Sequence, residues 1–130
     1  RFLAGALTPA AWYQHAQRFR AWYRAQVREV FRDVDVLIAP ATPVPATFLG
    51  QELMTIEGIE LPVRPHLGLF TQPISFIGLP VVAAPVHIAG PQPIAVQLIA
   101  APWRETALLR VARVLEHSGV CTAPIARLAA

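Results

Sequence analysis

Apolar positions spaced three and four residues apart dominate the first part of the chain and predict one long helix. Thr8-Pro9 is typical of a helix start, because Thr caps the first turn well and Pro is tolerated at the first helical position. A single apolar stripe then continues for roughly 25 residues, which is the pattern of an amphipathic helix. The stripe consists of Trp12, Ala16, Phe19, Tyr23, Val27, Val30 and Val34.

Further along, short apolar runs between Gly and Pro predict strands. Residues 35–41 are expected to form a buried strand that stops at Pro40 and the Pro-rich residues after it. The runs 81–89 and 94–100 are rich in β-branched residues and are joined by residues 90–93, which predicts an antiparallel hairpin. Pro85 indicates a bulge or a sheet edge within the first of these runs.

The last predicted element is a helix over residues 105–117. Its apolar residues fall on one face, and Gly119 stands where a left-handed C-cap is expected. These residues are Leu108, Val111, Ala112 and Leu115.

Between the first strand and the hairpin, residues 46–66 mix Gly, Pro and Glu. They predict a long loop that contains a short hairpin over residues 54–61, split at Glu57-Gly58. The order helix, strand, loop, hairpin, helix indicates an α/β or α+β class. Its strands are too few for a sheet that covers its own faces.

The composition indicates that much of the surface meets other protein. Hydrophobic residues make up 55% of the chain, charged residues 15%, and the mean hydropathy is +0.45. An ordinary domain has about 45–50% apolar and about 25% charged residues. No run of about 18 apolar residues is free of charge and Pro, so we expect no membrane span. We interpret residues 1–130 as a single segment of a larger domain, which packs against missing protein or self-associates.

The start of the chain does not resemble a targeting segment. It begins with Arg1 instead of Met, and its first residues lack the basic, apolar and cleavage sections of a signal peptide. We therefore expect a processed or cut chain.

Side chains for several kinds of chemistry are missing. All 11 Lys and Arg positions are Arg, so no Lys can act as a base or form a Schiff base. The four histidines share no metal-ligand spacing, and we predict neither a metal nor a cofactor. Ser75 lies outside any Gly-x-Ser-x-Gly motif, and we interpret it as a buried hydroxyl bonded to backbone. The lone Cys121 favours a reducing compartment, and hence the cytoplasm.

One basic feature is compatible with a binding surface. Arg recurs at every fourth position along the first helix, which forms a ridge of Arg20, Arg24, Arg28 and Arg32. Such a ridge could meet nucleic acid or the carboxylates of a partner, although Glu29 and Asp33 offset part of its charge. Because no aromatic side chains interleave with the ridge for base stacking, we favour a solvated helix face and expect no nucleic-acid partner.

Four landmarks, in order, resemble the C-terminal part of the amidase signature family. Residues 35–43 are similar to the family's Asp-x-Leu-x-x-Pro-Thr strand. Residues 70–86 resemble a Thr, an Asn-x-x-Gly-x-Pro element and an apolar strand ending in Pro, with Ser75 in place of the Asn. Residues 93–100 resemble the Leu-Pro-x-Gly-x-Gln strand, with Ala95 in place of the Gly, and residues 105–116 resemble the closing helix. Residues 71–80 look most like the branch that hydrolyses carboxybiuret- or allophanate-like ureido compounds.

The resemblance implies the C-terminal portion of an α/β/α sandwich with a large mixed sheet, here incomplete. The family's Ser–cis-Ser–Lys triad lies N-terminal to these landmarks, so no catalytic residue is assigned here and the chain is expected to be inactive alone. The segment would contribute pocket lining from Thr71, Gln72 and Ile74. Arg64 and His66 would hold a substrate carboxylate, the alternative being an ordinary loop ion and a surface imidazole.

The implied partners are the missing N-terminal part of the same enzyme and a small amide or ureido substrate. A second hypothesis is a non-catalytic assembly or small-subunit module that reuses this part of the fold. The reading frame upstream of Arg1 discriminates between them. A Gly/Ser-rich signature and a Lys there support the enzyme, whereas a start codon near Arg1 supports the module.

Overall fold

A computed structural model describes residues 2–86, 92 and 94–122. Its helices are α1 (Phe2–Ala6), α2 (Ala10–Val30), α3 (Val63–His66), α4 (Gln72–Ile77) and α5 (Glu105–His117). Its strands are β1 (Val36–Pro40), β2 (Leu53–Ile56), β3 (Ile59–Pro62), β4 (Val81–Val86) and β5 (Ile94–Ala100).

The larger sheet is antiparallel and has the strand order β1–β5–β4. Both neighbours pair with β5 in unbroken register, which confirms the predicted hairpin of β4 and β5. Of its predicted connection, residues 90–93, all but Gln92 lie outside the described residues. Pro85 pairs with Ala95 and no residue is inserted there, so the sheet edge is the correct alternative for Pro85.

The two faces of this sheet are covered by different helices, because successive side chains of β5 point to opposite sides. Leu98 and Ala100 join a buried cluster with Leu108 of α5. Ile99 points the other way and packs with Ile77, at the end of α4. The partly buried Tyr23 and Val27 of α2 pack against that second cluster. Helix, sheet and helix therefore form part of an α/β/α arrangement, as predicted.

Both helices predicted from apolar stripes are present, although α2 ends at Val30, before the predicted Val34, and the two helices differ in burial. α5 spans the predicted residues, and Gly119 follows it with a φ of 73°, in the left-handed region. α2 has 21 residues, none of them buried. Its apolar stripe is covered only around Tyr23 and Val27, whereas the Trp12 side chain remains 70% exposed.

The stretch 46–66 has more regular structure than the loop predicted for it. β2 and β3 form the expected short hairpin, and Glu57 and Gly58 both have positive φ, at 49° and 80°. Positive φ at both central residues is what a type I′ turn requires. The one-turn helix α3 follows β3 directly.

α4 is an element that the hydrophobic pattern does not predict, since six residues containing Pro73 carry too little periodicity. The structure also corrects the interpretation of Ser75, which is exposed and not buried. The reason is that α4 turns Ile74 and Ile77 toward the sheet and leaves Ser75 on its outer side. Gly78 ends the helix with a φ of 69°, a conformation that suits Gly.

Candidate functional site

The five predicted site residues lie on two neighbouring segments of the chain. Arg64 and His66 belong to α3, while Thr71, Gln72 and Ile74 stand at the start of α4. A short turn of residues 67–71 connects the two helices. We call this turn with the first residue of α4, residues 67–72, the pocket turn.

The carbonyl oxygen of Gly68 accepts the hydrogen bonds that close the pocket turn. It accepts hydrogen bonds from the backbone N–H groups of Thr71 and Gln72, at 3.1 and 2.8 Å. The Thr71 hydroxyl also points to this oxygen, at 3.4 Å, which is long for a hydroxyl donor. The turn therefore fixes the backbone of Thr71 and leaves its hydroxyl weakly engaged and half-buried.

The Gln72 side chain lies directly over Gly68. A Cβ added at Gly68 would come within 2.7 Å of Gln72 Nε2 and 2.9 Å of its Cγ. Such distances are well below a van der Waals contact, so the close approach depends on the missing side chain of Gly68.

Gln72 also contributes its amide to the lining of a largely apolar groove of about 560 Å³. The groove runs between α2 and α4 and is lined by Phe19, Tyr23, Pro65, Leu69, Gln72, Pro73 and Phe76. Neither Thr71 nor Ile74 is in this lining, and Ile74 instead packs against the Ile77 cluster. An apolar cleft with few polar groups is the usual form of a small-molecule site.

Gln97 is a buried polar residue that stands at the Gln of the Leu-Pro-x-Gly-x-Gln strand, but the sequence alone assigns it no role. It lies on the central strand β5 and is 2% exposed. Its side-chain Nε2 donates to the carbonyl of Pro40 at 2.8 Å and to the carbonyl of Phe70 at 2.9 Å. The usable signal is a lone amide in an apolar strand, because a buried polar group is nearly always hydrogen-bonded.

The two candidate residues of α3, Arg64 and His66, differ in exposure and in hydrogen bonding. The Arg64 side chain is exposed, and among the described residues its guanidinium has no hydrogen-bond or ion-pair partner. His66 is half-buried, and its Nδ1 lies 2.8 Å from the carbonyl of Pro62. Because a carbonyl can only accept, Nδ1 carries the proton in this contact.

The arginine ridge of α2 is divided between two roles, which corrects the interpretation as a wholly solvated face. Arg24 Nε donates to the carbonyl of Ile77 at 3.0 Å, at the C-terminal end of α4. The Arg20 guanidinium lies over the Phe76 ring, 5.8 Å from its centroid. Arg32 is exposed and pairs with Glu29 at 2.7 Å, in agreement with the expected charge offset.

No helix among residues 2–86 and 94–122 is both long enough and apolar enough to cross a membrane. In the same part of the chain, no group of three or more His, Cys, Asp or Glu side chains could hold a metal ion.

The fold of this chain matches a known class of enzyme domain. The family model described as Amidase matches residues 2–109. The chain therefore belongs to the amidase family.

Two relatives show which members of the amidase family this chain is similar to. The AtzE subunit of 1-carboxybiuret hydrolase from Pseudomonas sp. (strain ADP) is 52% identical over 122 residues, which cover 92% of this chain and 27% of that protein. A glutamyl-tRNA(Gln) amidotransferase subunit of Staphylococcus carnosus (strain TM300) is 36% identical over 108 residues, covering 82% and 21%. The resemblance to the carboxybiuret branch is confirmed.

A solved structure agrees with this placement. It is a chain of an inhibitor-bound vestigial protein complex, solved in work on the evolutionary origins of an s-triazine catabolic enzyme. It matches with a TM-score of 0.89 and 50% identity, over 95% of this chain and 28% of that chain. The present chain thus spans about a quarter of the length of the relatives that it matches.

Proposed function

We propose that this chain is the C-terminal part of an amidase-family hydrolase that cleaves a C–N bond in a small, carboxylated ureido or amide compound. The observation that carries the proposal is the pocket turn, in which Gln72 lines an apolar groove and the adjacent Thr71 keeps a weakly engaged hydroxyl. The 52% identity to a carboxybiuret hydrolase supports the ureido substrate class.

In this assignment, this chain binds the substrate and the remainder of the polypeptide supplies the catalytic groups. The chain has no Lys, so the Ser–cis-Ser–Lys triad implied by the family must come from elsewhere. There a serine would attack the carbonyl carbon, the lysine would act as the ultimate base and backbone N–H groups would hold the oxyanion. This chain would bind the substrate, through the Thr71 hydroxyl, the Gln72 amide and the Arg64 guanidinium.

The direct test compares the complete polypeptide with residues 1–130 alone. We expect the complete polypeptide to release ammonia from a carboxylated ureido compound, and the 130-residue chain to release none. Steady-state ammonia release by both proteins, purified in the same way, measures this. Turnover by the short chain that is abolished by Ser75→Ala would contradict the proposed division.

Arg64 gives a test of substrate class. Its unpaired guanidinium suits a carboxylate, so Arg64→Ala in the complete polypeptide should lower kcat/KM about ten- to a hundredfold for a carboxylated substrate. A neutral amide should be affected much less, because specificity is a difference in transition-state binding. Arg113→Ala is the matched control, since Arg113 is another exposed arginine and lies on α5. Equal losses on both substrates would remove Arg64 from the site.

The second candidate function is assembly without catalysis. The exposed aromatic side chains of α2 favour it, because they offer an apolar surface to another protein or to a second copy of the chain. A complete polypeptide that hydrolyses no amide or ureido bond, yet forms a stable complex, would favour this candidate. A cytoplasmic location is part of either proposal, supported by the single, unpaired Cys121.

A further inference from the structure

Gln97 occupies a position where an apolar side chain would ordinarily be expected. It lies on the central strand β5, on the same face as the buried Ile99. Burying an amide is unfavourable unless its polar atoms find partners. Leu or Met would fill the same space but would donate to neither of the two carbonyls that Gln97 contacts.

The orientation of the Gln97 amide is dictated by those partners. Both Pro40 and Phe70 present carbonyl oxygens, which only accept hydrogen bonds. The NH₂ group must face them, and its two N–H bonds are then both used. One side chain thus joins the end of β1 to the pocket turn.

The contact with Phe70 controls a single peptide unit, the one that joins Phe70 to Thr71. Gln97 holds the carbonyl of this unit, and the Gly68 carbonyl accepts from its N–H, at 3.1 Å. Because a peptide unit is planar, it cannot rotate without breaking both hydrogen bonds. The directions in which Thr71 and Gln72 leave the backbone are fixed in this way.

We propose that Gln97 is a positioning residue, which sets the placement of Thr71 and Gln72 relative to the sheet by holding the Phe70 carbonyl. This inference rests on the proposed function, in which Thr71 and Gln72 contact the substrate. Gln97 itself does not line the groove, so it acts through the pocket turn.

A double-mutant cycle in the complete polypeptide tests the inference. Gln97→Met keeps the length of the side chain and removes both donors, while Thr71→Val removes the hydroxyl. We expect Gln97→Met to lower kcat/KM about ten- to a hundredfold, which is the size of effect expected when positioned groups move. If Gln97 acts through Thr71, adding Thr71→Val to Gln97→Met should cost no more than about a further threefold.

Leu98→Ala is the matched control, because Leu98 is the next residue on β5, is fully buried and points to the opposite face. It should lower stability at least as much as Gln97→Met, and its effect on kcat/KM should simply multiply with that of Thr71→Val. If Gln97→Met does not fold, Gln97→Asn enters the same cycle, since it keeps the amide and is too short to reach both carbonyls.

The outcomes separate this inference from the proposed function. An active wild-type enzyme with multiplicative losses in the Gln97–Thr71 cycle would overturn the role of Gln97 alone. A wild-type polypeptide that hydrolyses no amide or ureido bond would overturn the proposed function, and the inference with it. Non-multiplicative losses in the Gln97–Thr71 cycle, with multiplicative losses in the Leu98–Thr71 cycle, support both.

Discussion

α5 and α2 pack on opposite faces of one sheet, and they differ in how much of their apolar surface is buried there. α5 has 13 residues, and its Leu108 is 1% exposed within the cluster that includes Leu98 and Ala100. α2 is longer, at 21 residues, and buries none of them. Both helices show a clear apolar stripe in the sequence. An apolar stripe therefore shows which face of a helix can be buried. How much of that face is buried depends on the neighbouring elements that the chain contains.

The contacts that hold the two helices differ in kind as well as in extent. α5 is held by apolar burial against β4 and β5. α2 reaches the sheet mostly through α4, where Tyr23 and Val27 join the Ile77 cluster and Arg24 bonds to the Ile77 carbonyl. We therefore expect α5 to be sensitive to lost volume and α2 to be sensitive to a lost hydrogen bond.

The largest effect is expected at Leu108. Leu108→Ala leaves a cavity in a closed cluster and should lower the free energy of unfolding by about 2–5 kcal/mol. Urea unfolding of residues 1–130 at low protein concentration measures this. Leu109→Ala is the control, because Leu109 is exposed on the same helix. A loss at Leu108 no larger than at Leu109 would mean that α5 is no better packed than α2.

An intermediate effect is expected at Arg24. Arg24→Met keeps much of the side-chain volume and leaves the half-buried Ile77 carbonyl without its donor, which should cost about 1–3 kcal/mol. Arg28→Met, one turn later and exposed, should change stability by no more than about 0.5 kcal/mol. Paired urea unfolding curves decide the point, and identical curves for the two variants would show that α2 does not depend on this hydrogen bond.

The smallest effect on stability, but a large one on association, is expected at the exposed Trp12 and Trp22. Changing both to Gln should alter the free energy of unfolding by no more than about 0.5 kcal/mol per site, since neither is buried. The wild-type chain should self-associate through this apolar surface, and the double variant should do so less. Sedimentation velocity at several protein concentrations measures the self-association of both proteins. A wild-type chain that stays monomeric throughout would contradict the association predicted from composition.

The elements that could be predicted from the sequence are those whose signals lie within the element itself. α5 was predictable to its ends because its signals are local, with one apolar face and Gly119 as the cap. The pairing of β4 with β5 was predictable for the same reason, since two β-branched runs flank the Gly- and Pro-containing residues 90–93 in the sequence. α4 was not, because Pro73 interrupts a segment too short to show a helical period.

The arrangement of the site depended on contacts that no local pattern contains. The hydrogen bonds of Gln97 join residues 57 and 27 positions apart, and that of Arg24 joins residues 53 positions apart. Family resemblance led to Thr71 and Gln72, but it did not indicate that a buried amide holds the peptide before them. The expected buried hydroxyl at Ser75 was wrong because the side on which it lies is set by α4, which was itself not predicted.

The bare backbone of Gly68 offers protein engineers a way to reshape the groove without redesigning the fold. Gly68 is not among the glycines with positive φ, so its conformation tolerates Ala, which can stabilise such sites slightly. The new methyl group would meet the flexible Gln72 side chain and push it away from its present position. Substitutions at this one position would therefore tune which substituents the groove admits, and a graded series from Ala to Ser would let substrate range be adjusted in steps.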